Sequence, residues 1–364
     1  MKVTIVAGAR PNFIKVAPII KAIKKAQHSG GQILYRLVHT GQHYDKKMSS
    51  DFFEQLNISE PDVNLEAGGG TQAEQTAAIM IRFEKELMEN RPDIVLVVGD
   101  VTSTMACAIT AKKLGIDVAH IEAGLRSYDW TMPEEVNRIV TDALADYFFT
   151  TSETAGENIR KQGVNPDRIF FVGNTMIDTL YQNKERLQMP GIWKDMALEE
   201  KSYFIVTLHR PSNVDNEKNL AIILNTILEA TSESPVLFPV HPRTKKILGK
   251  LQFQNDRLVQ LDPLPYLEFV YLIKNARAVI TDSGGITEET TVLGVPCITL
   301  RNSTERPETI AIGTNELAGT NPAALSKYLR QVVSGQWKRG SIPELWDGKT
   351  SERIVDALSS IYEK

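Results

Sequence analysis

The sequence predicts an α/β protein made of two Rossmann-like, doubly wound parallel-sheet domains. Three observations carry that expectation. Apolar runs of strand length alternate with amphipathic stretches of helix length, the pattern of a parallel sheet with helices on both faces. The alternation falls into two series of about equal length. Several runs end on a carboxylate or a histidine, at the strand ends where doubly wound sheets take their ligands.

In the first series "KVTIVAG", "DIVLVVGD", "IDVAHIE" and "DYFFTT" are continuous apolar runs and predict buried strands. In the second, "SYFIVTLH", "PVLFPVH", "RAVITDS" and "VPCITL" do the same. Helical stretches such as "FIKVAPIIKAIKKA" and "NLAIILNTILEATSE" lie between them. Residues 173–202 carry helix, proline and charge but no strand, which places the division near residue 173. The expected domains are therefore 1–172 and 173–350. The closing stretch 351–364 reads as an amphipathic helix begun by a capping Ser351, able to pack back on the first domain.

With 364 residues the chain is comfortable for two domains. A net charge of -4, from 45 acidic and 41 basic residues, offers no basic field for nucleic acid. Two cysteines, Cys107 and Cys297, both in apolar surroundings, exclude a disulfide framework or a Cys-rich metal site. The six histidines suggest no metal site either; His39 and His43 have helical spacing, but a glycine stands between them. No apolar run reaches the ~20 residues of a membrane span, and the first residues run straight into a strand with no signal-peptide core. A soluble, cytoplasmic protein is the expectation.

Four stretches carry chemistry. In "TDSGGITEE" a strand leads through Ser283, Gly284 and Gly285 into a helix, where free N–H groups and the dipole favour a phosphate. Glu289, or its neighbour Glu288, would then stand one turn on, where a carboxylate can accept both protons of a ribose diol. In "GARPNFIKVAP" Arg10 and Lys15 flank a helix start after the first strand, with Pro11 suited to the first turn. "VVGDVTST" and "HIEAGLRSYDWTMPEEVNR" place Asp100 and Glu122 at successive strand ends, followed by Arg126, Glu134, Glu135 and Arg138. His209 and His241 each close a strand of the second domain. "GGGTQA" has the letters of a dinucleotide fingerprint but follows no clear strand, so a nicotinamide enzyme is disfavoured.

Taken in order, "GARPNFIKVAP", "VVGDVTST", "HIEAGLRS", "MPEEVNR", "FVGNTMID", "DSGGITEE", "RNSTERPE" and "DGKTSERI" resemble the non-hydrolysing UDP-N-acetylglucosamine 2-epimerases over nearly the whole chain. That resemblance implies the GT-B fold with a cleft between its domains, no dissociable cofactor and a homodimer. It also implies interconversion of UDP-GlcNAc and UDP-ManNAc for cell-surface polysaccharides. Residue by residue, it assigns Asp100, Glu122 and Glu134 as catalytic carboxylates and His209 as the active-site histidine. It gives the diphosphate to Arg10, Ser283, Gly284 and Gly285, and the ribose to Glu289. Lys15, Arg138 and His241 match further positions at the cleft, and Phe269 in "LEFVYLI" matches the stretch bordering uracil. Two departures stand out. Pro211 and Ser212 follow the "HR" of the histidine motif, and Tyr44 replaces a basic residue in "GQHYD". In many members these regions contribute to a second, activating substrate site, and the changes leave room for a related sugar such as a 2,3-diacetamido uronic acid. A GT-B glycosyltransferase is the other reading, against which the three carboxylates weigh.

Overall fold

The computed structural model describes residues 1–41, 53, 55–240, 242–251, 253 and 255–362; Tyr44, His43 and His241 lie outside them. The chain forms two compact units, Met1–Gln182 with Glu344–Lys364, and Asn183–Pro343.

The first unit is built on a seven-stranded sheet of order β3-β2-β1-β4-β5-β6-β7. Its strands are β1 (Lys2–Ala7), β2 (Leu34–His39), β3 (Val63–Asn64), β4 (Ile94–Val98), β5 (Asp117–Ile121), β6 (Tyr147–Thr150) and β7 (Ile169–Phe171). All neighbours pair in parallel. The central β4, Ile-Val-Leu-Val-Val, is buried throughout, as a strand covered by helices on both faces must be. Val95 and Val97 pack with Ile79, Phe83 and Leu87 of the helix Gln72–Glu89 and with Ala106 and Ala111 of the helix Thr102–Lys113. The buried Cys107 belongs to the same cluster. The "GGGTQA" stretch starts the helix Gln72–Glu89: Thr71 and Glu74 form a reciprocal capping box there, which explains its residues without a nucleotide.

The carboxyl-terminal helix Thr350–Tyr362 is part of this unit and buries Ile354, Val355 and Leu358. Each such side chain contributes about 1.5–3 kcal/mol of burial. Its start differs from the sequence expectation. Ser351 lies inside the helix, and the cap is Asp178, which accepts from the N–H of Thr350 (3.0 Å), the N–H of Ser351 (2.6 Å) and the Ser351 hydroxyl (2.6 Å). Asp178 sits on the helix Thr175–Asn183, so that helix stays with the first unit and the division falls after Gln182 rather than at 172. Trp346, fully buried, donates from Nε1 to the Thr151 carbonyl at 3.1 Å and pins the segment before the helix.

The second unit carries a six-stranded parallel sheet of order β10-β9-β8-β11-β12-β13. The strands are β8 (Phe204–Thr207), β9 (Val236–Pro239), β10 (Leu258–Leu261), β11 (Ala278–Thr281), β12 (Cys297–Thr299) and β13 (Asn315–Leu317). One face packs Val206, Phe238, Ile280 and Ile298 against the helices Glu217–Ala230 and Pro322–Val333. The other packs Ile205, Leu237 and Val279 against the helix Tyr266–Asn275 and the aromatic pair Trp193–Tyr203. In each sheet the strand order reverses once at the centre, between β1 and β4 and between β8 and β11. Loops leaving such a reversal diverge to opposite faces and open a crevice at the carboxyl ends.

Candidate active site

At the β1/β4 reversal, Asn12 ties the two strand ends together. Its Oδ1 accepts from the N–H of Gly8 (3.2 Å) and Ala9 (2.9 Å), and its Nδ2 donates to the Val98 carbonyl at 3.0 Å. One turn further along the helix Arg10–His28, Lys15 Nζ reaches Glu122 Oε2 at 2.7 Å. Glu122 is buried and follows β5 with φ +69°, a left-handed conformation that a β-carbon normally resists. Its N–H and that of Ala123 both donate to the Phe149 carbonyl (3.0 and 3.1 Å), which holds the turn in place. Gly99 has φ +68°, and a β-carbon there would stand 3.2 Å from Lys15 Nζ. A side chain at 99 would therefore press on the Lys15–Glu122 pair.

Asp100, next along, is partly exposed and ion-paired to Arg138, which is itself 1 % exposed. Arg138 is anchored from behind: Nε and Nη2 donate to Glu135 Oε2 at 2.9 and 2.6 Å. Glu135 also accepts from the N–H groups of Ser127 and Tyr128. Burial pushes the Glu135 carboxyl up, but these donors outweigh it and hold it below the usual carboxylate range. Asn137 donates to the Asp100 carbonyl at 2.8 Å, so one helix, Pro133–Leu144, fixes both the main chain and the side chain of Asp100. Glu134 stands on the first turn of that helix, half-buried. Beneath the turn, the buried ring of His120 lies between Asp142 (2.7 Å) and the Gly99 carbonyl (2.9 Å). Arg10, by contrast, opens its helix as an exposed residue.

In the second unit the β8/β11 reversal is bridged by a histidine and an aspartate. His209 Nδ1 lies 2.7 Å from Oδ1 of Asp282, which is fully buried, while the His209 ring is half-exposed. Asp282 also accepts from the N–H of Arg210 (2.9 Å) and the amide of Asn213 (3.0 Å). Burial pushes its carboxyl up, and the hydrogen bonds from His209, Arg210 and Asn213 together bring it below the ordinary range. Ser283 then occupies the N-cap position of the helix Gly284–Leu293, yet its hydroxyl makes no cap bond, and no acid lies in the first turn. Both features suit an anion at the helix start. A β-carbon on Gly284 would sit 2.6 Å from Glu305 Oε1, whose carboxylate is paired with the buried Arg301. Glu288 and Glu289 come in the second turn, clear of that start. Glu288 is ion-paired with Arg306, and Glu289 accepts from the Tyr266 hydroxyl at 2.9 Å. Burial pushes the Glu289 carboxyl up to about 7. Phe269 is partly buried against the core below the sheet.

Sequence reasoning did not single out Asp142, His120, Asp282 or Tyr266, and it named Glu135 without its part in anchoring Arg138. Of these, Asp282 was the most accessible to it, since it stands directly before the Ser-Gly-Gly turn. Among the described residues no group of three or more His, Cys, Asp or Glu side chains is arranged to hold a metal ion. No described helix is long and apolar enough to cross a membrane.

The chain matches the UDP-N-acetylglucosamine 2-epimerase family over residues 25–359. It is 42% identical over 371 residues to the UDP-N-acetylglucosamine 2-epimerase of Methanocaldococcus jannaschii, covering 99% of each chain. It is 39% identical over 365 residues to the UDP-2,3-diacetamido-2,3-dideoxy-D-glucuronate 2-epimerase of Pseudomonas aeruginosa, covering 99% of this chain and 100% of that one. The crystal structure of the M. jannaschii epimerase with UDP-GlcNAc and UDP superposes with a TM-score of 0.88 at 41% identity, covering 99% of this chain and 100% of that one. The Neisseria meningitidis enzyme bound to UDP-GlcNAc gives 0.89 at 31% identity with the same coverage. With a fold shared end to end and sequence identity of this order, the chain belongs to the UDP-N-acetylglucosamine 2-epimerase family.

Proposed function

We propose that the protein is a non-hydrolysing 2-epimerase that interconverts UDP-GlcNAc and UDP-ManNAc for cell-surface polysaccharide synthesis, working as a cytoplasmic homodimer. The observation that carries the reading is Glu122: a buried carboxylate in a strained left-handed turn, paired with Lys15 beside Asp100. Strain of this kind is kept where geometry serves a reaction.

The chemistry follows from the substrate. The hydrogen on C2 of an N-acetylhexosamine is not next to a carbonyl carbon, so its direct removal is disfavoured. When the C1–O bond breaks and its electron pair leaves with UDP, positive charge grows at C1 and the C2 proton becomes acidic. Its loss gives a 2-acetamidoglucal; protonation from the opposite face and return of UDP to C1 give the epimer. Ser283, Gly284 and Gly285 at the uncharged helix start, with Arg10, stabilise the departing diphosphate, and Glu289 accepts the ribose hydroxyls. Asp100, Glu122 and Glu134 supply acid and base to the two faces of C2, and His209, oriented by Asp282, adds a proton carrier. The second unit thus serves mainly the nucleotide and the first mainly the sugar.

Incubation with UDP-GlcNAc in D2O, with no acceptor, tests this directly. UDP-ManNAc and deuterium at C2 are expected, with little free sugar. Epimerisation that leaves C2 unlabelled would refute the elimination route, and stoichiometric free ManNAc would assign the hydrolysing branch. The 39% identity to the P. aeruginosa enzyme favours the diacetamido uronic acid nucleotide as the second substrate to try. Light scattering on the purified protein checks the dimer.

A further inference from the structure

Glu289 is held by one neighbour and opposed by another. Tyr266, the first residue of the helix Tyr266–Asn275, donates its hydroxyl to Glu289 Oε1 at 2.9 Å, leaving Oε2 to a ligand. Glu289 is only 3 % exposed. Two groups bear on it: Tyr266 from the neighbouring helix, and Glu288 on its own helix, which is itself paired with Arg306 from just before the helix Pro307–Ala311. Burial and the Glu288 charge both drive a proton onto Glu289, while the Tyr266 hydrogen bond resists it.

A ribose offers two hydroxyl donors and asks for an ionised acceptor. A protonated carboxyl would meet those hydroxyls with a hydrogen of its own and lose one acceptor site. The phenol of Tyr266 has no such ambiguity, because burial and the adjacent carboxylate push its ionisation well above the ordinary value and keep it a donor. We propose that Tyr266 is the positioning residue that keeps Glu289 ionised and aimed at the ribose diol, so that the site selects ribonucleotides over 2′-deoxyribonucleotides. This rests on reading the Ser283–Glu289 segment as the nucleotide site.

The test is calorimetric titration of the full chain with UDP and with 2′-deoxy-UDP across the neutral pH range. Wild type is expected to prefer UDP by about 10-fold, the worth of one hydrogen bond to a charged group. Its UDP affinity should fall as pH drops, because protonation removes the acceptor. Tyr266→Phe removes a single oxygen. It should move the pH midpoint of UDP binding upward by about one pH unit, with the affinity at alkaline pH retained. Site-specific 3-fluorotyrosine at 266 keeps the packing but strengthens the donor, and must move the midpoint downward. A midpoint unmoved by both changes would overturn the role of Tyr266 while leaving the nucleotide site intact. Equal wild-type affinity for UDP and 2′-deoxy-UDP would overturn the selectivity. Failure of wild type to bind UDP at any pH would sink the nucleotide reading, and this inference with it.

Discussion

His209 and Asp282 face each other across the β8/β11 reversal, Nδ1 to Oδ1 at 2.7 Å, with the aspartate fully buried and the ring half-exposed. A buried acceptor on Nδ1 fixes the ring's orientation and leaves Nε2 as the atom a substrate meets. Asp282→Asn should therefore lower kcat by about 10²-fold while UDP affinity changes far less. Kinetics combined with UDP titration separate the two. Because the Asp282 carboxyl is depressed in the folded state, its stabilisation is present above the ordinary carboxylate range and lost as pH falls through the depressed value. The stability gap between wild type and variant should accordingly narrow in acid.

Glu122 offers the sharper test of chemistry against binding. Glutamine keeps the size and the left-handed turn but removes the charge that Lys15 pairs with. Glu122→Gln should retain UDP affinity and lose turnover by about 10²–10⁴, with C2 deuterium incorporation falling in step. A variant that washes deuterium into C2 at the wild-type rate would remove Glu122 from the proton-transfer set.

Glu289 carries a cost of its own. Its folded-state carboxyl titrates near 7, above the 4.5 of a free glutamate, so ionising it in the fold costs up to roughly 3 kcal/mol. The sign is fixed: below pH 4.5 both states are protonated and there is no cost, and the penalty grows as pH rises toward 7. Glu289→Gln keeps the Tyr266 contact without the charge. It should melt higher than wild type at pH 8 by several degrees and lose most of that advantage at pH 5. A pH-independent difference in melting temperature would show that Glu289 is not ionised against its surroundings.

What was legible in the sequence follows the physics of each signal. Runs such as "DIVLVVGD" announce β4 because a strand covered on both faces must be apolar throughout. β2 carries Tyr35 and Arg36, the edge strand β10 carries a glutamine, and the edge strand β13 reads Asn-Glu-Leu; polar residues break the apolar run in each, and these strands were passed over. Ser283, Gly284 and Gly285 were legible because a turn into a helix has its own chemistry. Asp282 and Tyr266 were not, since a residue that steers another through a hydrogen bond leaves no mark in local spacing. The division of the chain was obscured for a related reason: Asp178 binds Thr350 and Ser351 from far along the sequence.

That long-range cap is itself testable. Asp178 is fully buried, and it answers three donors at the first turn of the carboxyl-terminal helix, two of them backbone N–H groups that the helix cannot satisfy internally. Burial drives its carboxyl above the ordinary value in spite of those bonds, so the aspartate is retained at a cost and its loss leaves donors stranded. Asp178→Ala should destabilise the first unit by about 3 kcal/mol, lowering its melting temperature on the order of 10 °C. The exposed pair Lys25–Glu352 joins the same helix to the helix Arg10–His28 from outside. Lys25→Ala should leave the melting temperature unchanged within error, because water already solvates both charges. Limited proteolysis completes the comparison. In Asp178→Ala the segment around Glu344–Lys349 should become cleavable at temperatures where wild type and Lys25→Ala resist. Equal protection in all three proteins would mean that the apolar face of Ile354, Val355 and Leu358 holds the helix without its cap.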